Sequence, residues 1–121
     1  MKKIIISVFL ILFTFGLYAL SCEEIMHFVK SKDYGTTYTS YNSTAISKVT
    51  FYSVYINYQM RYFAIVCFKP NEYTYNCSEY IYEVSSNTQL NYSMNYFESA
   101  GKAFWKYIQP YADILNCSPN F

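Results

Sequence analysis

Apolar residues fill most of positions 4–20, then recur at helical spacing, then crowd into three β-rich runs, and return to helical spacing toward the C-terminus. Ile4 to Leu20 is interrupted only by Ser7, Thr14 and Gly16 and follows Met1-Lys2-Lys3, the charged and greasy regions of a secretory signal. Ala19 and Ser21 supply small residues at the third and first positions before a cut, so cleavage is expected between Ser21 and Cys22. A retained membrane anchor is the alternative, but a run of about 17 residues is barely long enough to span a bilayer.

After the cut, Cys22 to Lys30 places Ile25, Met26, Phe28 and Val29 at helical spacing behind Glu23 and Glu24, which favours a short amphipathic helix with acids at its positive end. Ser31 to Thr44 is polar and aperiodic and reads as a loop. Ala45 to Ile56, Arg61 to Phe68 and Tyr73 to Val84 are dense in β-branched and aromatic residues, with turn residues between them. Ser85 to Thr88 then suits a turn or a helix start. From Leu90 the period changes: Phe97, Gly101, Phe104, Ile108, Tyr111 and Leu115 form a helical stripe able to lie on the sheet. Gly101 breaks that helix or packs it closely, and Pro110 ends its first stretch near Gln109. The expected fold is α+β: a three-stranded antiparallel meander covered by C-terminal helices, with a short N-terminal helix. Residues 22–42 form the helix and polar loop, and 43–121 the main domain.

The 121 residues fit one domain, and the 53% apolar share excludes a disordered chain. Removing residues 1–21 takes Lys2 and Lys3 away and leaves seven basic side chains against eight acidic ones, a net charge of −1. Those bases are scattered, so charge gives no support to a nucleic-acid partner.

The four cysteines lie beyond the cut, and an even count in a small exported domain points to two disulfides. Cys67 and Cys77 flank the turn cluster Lys69-Pro70-Asn71-Glu72, so a hairpin brings them together. As cross-strand partners they would pair Ala64 with Tyr80 and Tyr62 with Tyr82. Tyr62, Ala64, Val66, Phe68, Tyr80, Tyr82 and Val84 then share one face, with Arg61, Glu79 and Glu83 on the other. By elimination Cys22 joins Cys117. The competing use of Cys22 is as the lipid-bearing first residue of an anchored protein, which would orphan Cys117. Metal binding is not expected, because no C-x-x-C pair exists and His27 is the only histidine.

Catalysis and cofactors are not expected either. No nucleophile elbow, phosphate loop or zinc-protease motif is present, and Glu79 and Glu83 read as solvated strand charges rather than paired acids. Binding is the better reading. Beyond the signal the chain holds 15 Tyr, 7 Phe and 1 Trp, and a tyrosine needs its hydroxyl wet or bonded. Tyr34, Tyr38 and Tyr41 in the polar loop are expected to stand exposed and meet a protein, glycan or envelope partner, or else to fold back over the sheet edge. The chain is expected to act as a monomer.

Ser43 to Val49, Phe63 to Phe68, the Y-x-Y pairs Tyr73/Tyr75 and Tyr80/Tyr82, and the S-x-G-x-x-F-x-x-x-I run at Ser99, Gly101, Phe104 and Ile108 together resemble the KTSC domain. That module is named for its place at the C-terminus of some lysyl-tRNA synthetases and also occurs alone. The resemblance covers Ser43 to Gln109. It implies the same order of strands and helix, makes the Y-x-Y tyrosines binding candidates, and carries RNA binding as the family's suggested role. From the residues themselves, Tyr80, Tyr82, Phe104 and Ile108 read first as core.

Overall fold

The structure, a computed structural model, describes residues 20–74 and 76–121, so most of the expected export signal and Tyr75 lie outside the described residues. Helix α1, Cys22–Lys32, starts at a capping box. The Ser21 hydroxyl accepts from the Glu24 N–H at 3.1 Å, and the Glu24 carboxylate accepts from the Ser21 N–H at 3.2 Å. Ile25 and Val29, four residues apart, are its buried pair.

The antiparallel sheet comprises β1 (Thr36–Thr39), β2 (Ile46–Ile56), β3 (Gln59–Phe68) and β4 (Ser78–Val84), in that spatial order. It thus has four strands where the sequence predicts three. The extra strand lies in the segment read as loop, because Thr36-Thr37-Tyr38-Thr39 is too short and polar to show alternation; only Tyr38 turns inward. Gly35 makes the entry into β1 workable. Its φ is +73°, and a Cβ there would come within 2.7 Å of the Thr50 and Tyr52 side chains. Past the end of β1, the Asp33 carboxylate accepts from the Ser53 N–H at 3.1 Å and occupies an edge position that a strand would otherwise pair.

Asn57 and Tyr58 close the β2–β3 hairpin, both left-handed with φ of 51° and 63°, the geometry of a two-residue turn that matches strand twist. The next connection is longer than predicted. Asn71 accepts from the Tyr73 N–H and Thr74 from the Asn76 N–H, so this stretch is held by local side-chain bonds and β4 begins only at Ser78. Cys67 therefore faces Glu79, Ala64 faces Tyr82 and Tyr62 faces Val84, a register two residues away from the predicted pairing. A shift of two preserves parity, and the predicted division into faces stands. Cys77 sits just before β4 and still bonds Cys67, with Cα atoms 5.2 Å apart.

Both faces of the sheet are buried. One carries Val49, Phe51, Ala64, Val66, Tyr82 and Val84 beneath α2 (Thr88–Asn95) and α3 (Ala100–Tyr107). The other carries Tyr52, Val54, Phe63, Ile65 and Ile81 beneath Ile25 and Val29 of α1, a second core not foreseen from sequence. The predicted C-terminal stripe is divided between these surroundings. The helix breaks at 96–99, leaving Phe97 86% exposed, while Phe104 and Ile108 are buried in the first core. Gly101 neither breaks nor tightens a helix; it lies in the first turn of α3 with open space beside it. After a short 3-10 turn at Gln109–Tyr111, α4 (Ala112–Leu115) leaves Ala112 in the first core and Leu115 against the second. The chain has passed around β4 to reach Cys117, which bonds Cys22 with Cα atoms 5.7 Å apart.

The two bridges close loops of very different length, 95 and 10 residues in sequence separation. In the chain-entropy account, Cys22→Ala/Cys117→Ala loses about 4–5 kcal/mol and Cys67→Ala/Cys77→Ala about 2–3 kcal/mol. Urea unfolding of both double variants checks the order; equal losses contradict it.

Candidate functional site

Of the seven tyrosines singled out from sequence, the six among the described residues do not converge. Tyr34, Tyr41 and Tyr73 stand in water at 101%, 89% and 87% exposure. Tyr38, expected among the exposed set, is instead half-buried in the first core, edge-on to Phe51, Tyr92 and Tyr96, with its hydroxyl accepting from Gln89 at 3.2 Å. It folds back on the sheet because β1 turns it inward. Tyr80 is half-buried against Phe68, and Tyr82 is buried edge-on to Phe104. Tyr75 lies outside the described residues.

Residues of the S-x-G-x-x-F-x-x-x-I run have separate jobs. The Ser99 hydroxyl caps α3 by accepting from the Lys102 N–H at 3.2 Å, Phe104 and Ile108 enter the core, and Gly101 stays at the surface.

Apart from the exposed pair Trp105 and Phe121, whose rings lie 5.1 Å apart, solvent-facing aromatics stand at the two ends of the meander. At the β2–β3 tip Tyr55, Tyr58 and Met60 are exposed, and Tyr55 and Met60 are direct cross-strand partners. Sequence reading passed over this trio. Its signal was present, since Asn57-Tyr58 separates two β runs and so marks a hairpin tip between Tyr55 and Met60. At the other end, the β1–β2 connection and the α2–α3 connection enclose an open groove of about 330 Å³ lined by Tyr41, Phe97, Glu98, Gly101 and several hydroxyl and amide side chains.

The carboxylates offer little for acid–base work. Glu79 pairs with Lys30 at 2.7 Å, and Glu83 accepts from Arg61 through two guanidinium nitrogens. Four strand residues also separate the two glutamates by roughly 13 Å along β4, wider than the carboxyl pairs of glycosidases. Among the described residues, no group of three His, Cys, Asp or Glu side chains could hold a metal ion, and all four cysteines are in disulfides.

The two strongest electrostatic perturbations are structural. Burial pushes the Tyr92 phenol up to about 12, opposed by the neighbouring Ser40 hydroxyl, and burial pushes Tyr82 higher still. The Ser40 and Tyr92 hydroxyls do not meet at hydrogen-bond geometry, and neither they nor the Tyr82 hydroxyl has a partner. Folding holds these phenols neutral above pH 10, where the unfolded chain ionises them. Stability is thus full below about pH 10 and falls above it by up to about 1.4 kcal/mol per pH unit for each group. Tyr82→Phe and Tyr92→Phe, which delete buried unpaired hydroxyls, are expected to hold or raise stability by about 1 kcal/mol and to flatten that alkaline decline. Denaturant titration at pH 7 and pH 11 measures both effects.

No family model matches this chain, and no curated protein or solved structure matches it either.

Proposed function

We propose that this chain is a small exported, non-catalytic binding module on a KTSC-like core, meeting a protein or envelope surface through tyrosines that stand in water. The observation that carries this reading is Tyr58. It is 95% exposed and sits at a φ of +63°, where a residue with a side chain is strained and glycine is favoured. Neither core uses its ring. Strain retained at an exposed aromatic, beside exposed Tyr55 and Met60, fits a contact surface better than a folding requirement.

Export is supported by the two disulfides, a mark of oxidising compartments, and no helix among the described residues is long and apolar enough to cross a membrane. The bond from Cys22 to Cys117 favours soluble export over a lipid anchor, because the same sulfur cannot also carry a thioether. Cleavage after Ser21 would remove the cap of α1, leaving Glu23 and Glu24 beside the new amino group. The KTSC-like reading draws support from Phe104 and Ile108, which anchor α3 in the core as a family signature would require. RNA binding, the family's suggested role, has less support: Lys30 and Arg61 are engaged with glutamates.

The test is retention of the oxidised protein on envelope fractions at high salt. Tyr55→Ala/Tyr58→Gly is expected to weaken retention about tenfold while folding normally, since glycine relieves the turn. Absence of retention, or retention indifferent to the double substitution, overturns the reading. Salt-sensitive retention on RNA would move the assignment to nucleic acid.

A further inference from the structure

The groove at the loop end of the sheet differs from the hairpin tip in chemistry as well as place. Its two walls, residues 39–45 and 96–101, each present an exposed ring, Tyr41 at 89% and Phe97 at 86%. Between the rings the lining is rich in hydroxyls and amides, from Ser40, Asn42, Ser43 and Thr44. The Ser40 hydroxyl is turned inward beside the Tyr92 phenol, so the hydroxyl and amide groups a ligand can reach come from Asn42, Ser43 and Thr44. Glu98 is the one charged residue in the lining, and no Lys, Arg or His joins it. A phosphate or carboxylate ligand would meet a like charge within the groove, since Lys102 and Lys106 line the neighbouring depression on the other side of Glu98 and Ser99. A purely apolar ligand would strand the hydroxyls.

Gly101 adds an independent observation. Its φ is not in the left-handed region, and nothing lies within 4 Å of where a Cβ would be. Folding therefore does not require glycine there, and in a helix it costs about 1 kcal/mol relative to alanine. What the missing side chain does provide is open space along the groove and access to backbone in the first turn of α3.

We propose that this groove binds a short neutral saccharide. A sugar ring has apolar C–H faces that stack on aromatic rings and an edge of hydroxyls that exchange hydrogen bonds with serine, threonine and asparagine. The volume of about 330 Å³ sits at the lower end of small-molecule sites, which run to roughly 300–1,000 Å³. The site is separate from the hairpin tip and does not depend on it.

The experiment is amide NMR titration of the oxidised protein with cellotriose, maltotriose and tri-N-acetylchitotriose, and with trigalacturonate as the anionic control. At least one neutral trisaccharide is expected to shift the Gly101 and Asn42 amides saturably at millimolar concentration and to exceed the control. Tyr41→Ala and Phe97→Ala should each weaken binding about tenfold. Gly101→Leu, which improves helix propensity and whose Cβ meets no protein atom, should abolish binding while keeping the thermal midpoint at or above wild type. Tyr55→Ala/Tyr58→Gly should leave the saccharide shifts unchanged, so this inference and the envelope reading fail separately. No shift with any neutral trisaccharide, preference for trigalacturonate, or unaltered binding by Gly101→Leu overturns the proposal.

Discussion

Five consecutive residues of β3, Phe63 to Cys67, are out of water, and a strand buried on both sides obliges the chain to cover two faces from one short sequence. The helices after β4 cover one face, with Phe104, Ile108 and Tyr92 as their largest buried contributions. The other face receives mainly α1, a helix of eleven residues with Ile25 and Val29 as its buried contacts, joined by Leu115 and Cys117 from the C-terminus. An isolated helix of that length is marginal in water. Its capping box, the Lys30–Glu79 pair and above all the bond from Cys22 to Cys117 hold it in place.

That bond also explains the course of the C-terminus. To place Cys117 in the second core, the chain must leave the first core at Ala112 and pass around β4, and in doing so it shields one sheet edge. The opposite edge is short because β1 has only four residues, and Asp33 seals the next position of β2. The same bond thus serves the helix, the second core and the sheet edge.

Aromatic rings divide by the environment each strand or helix face imposes. Inside the first core they form chains of edge-on and tilted contacts running from Tyr38 and Phe51 to Tyr92, and from Phe68 to Phe104 and Tyr82. Tyr38, Tyr62, Tyr80, Tyr96, Tyr107 and Tyr111 are only partly buried against this core, whereas Tyr82 and Tyr92 are enclosed entirely. Outside the cores, Tyr55 and Tyr58 stand at one end of the meander and Tyr41 and Phe97 at the other, while Trp105 on α3 and Phe121 form a separate exposed pair. A high tyrosine count therefore does not imply a single tyrosine face.

Local patterns were sufficient for much of this architecture. The amphipathic N-terminal segment, three β runs, the helix containing Phe104 and Ile108, and the Cys67–Cys77 pairing follow from spacing, which depends on near neighbours in the chain; Cys22–Cys117 then follows by elimination. The division of β3 and β4 into faces was legible for the same reason, although the register was not, because local bonds at Asn71 and Thr74 decide where β4 begins. What only tertiary structure decided was β1, whose four polar residues acquire strand geometry by pairing with β2, and the second core, which exists because α1 returns to the sheet. It also decided that Phe97 faces water and Tyr38 does not. Those outcomes depend on contacts between residues distant in the chain, and periodicity within one segment carries no information about which distant segment will cover it.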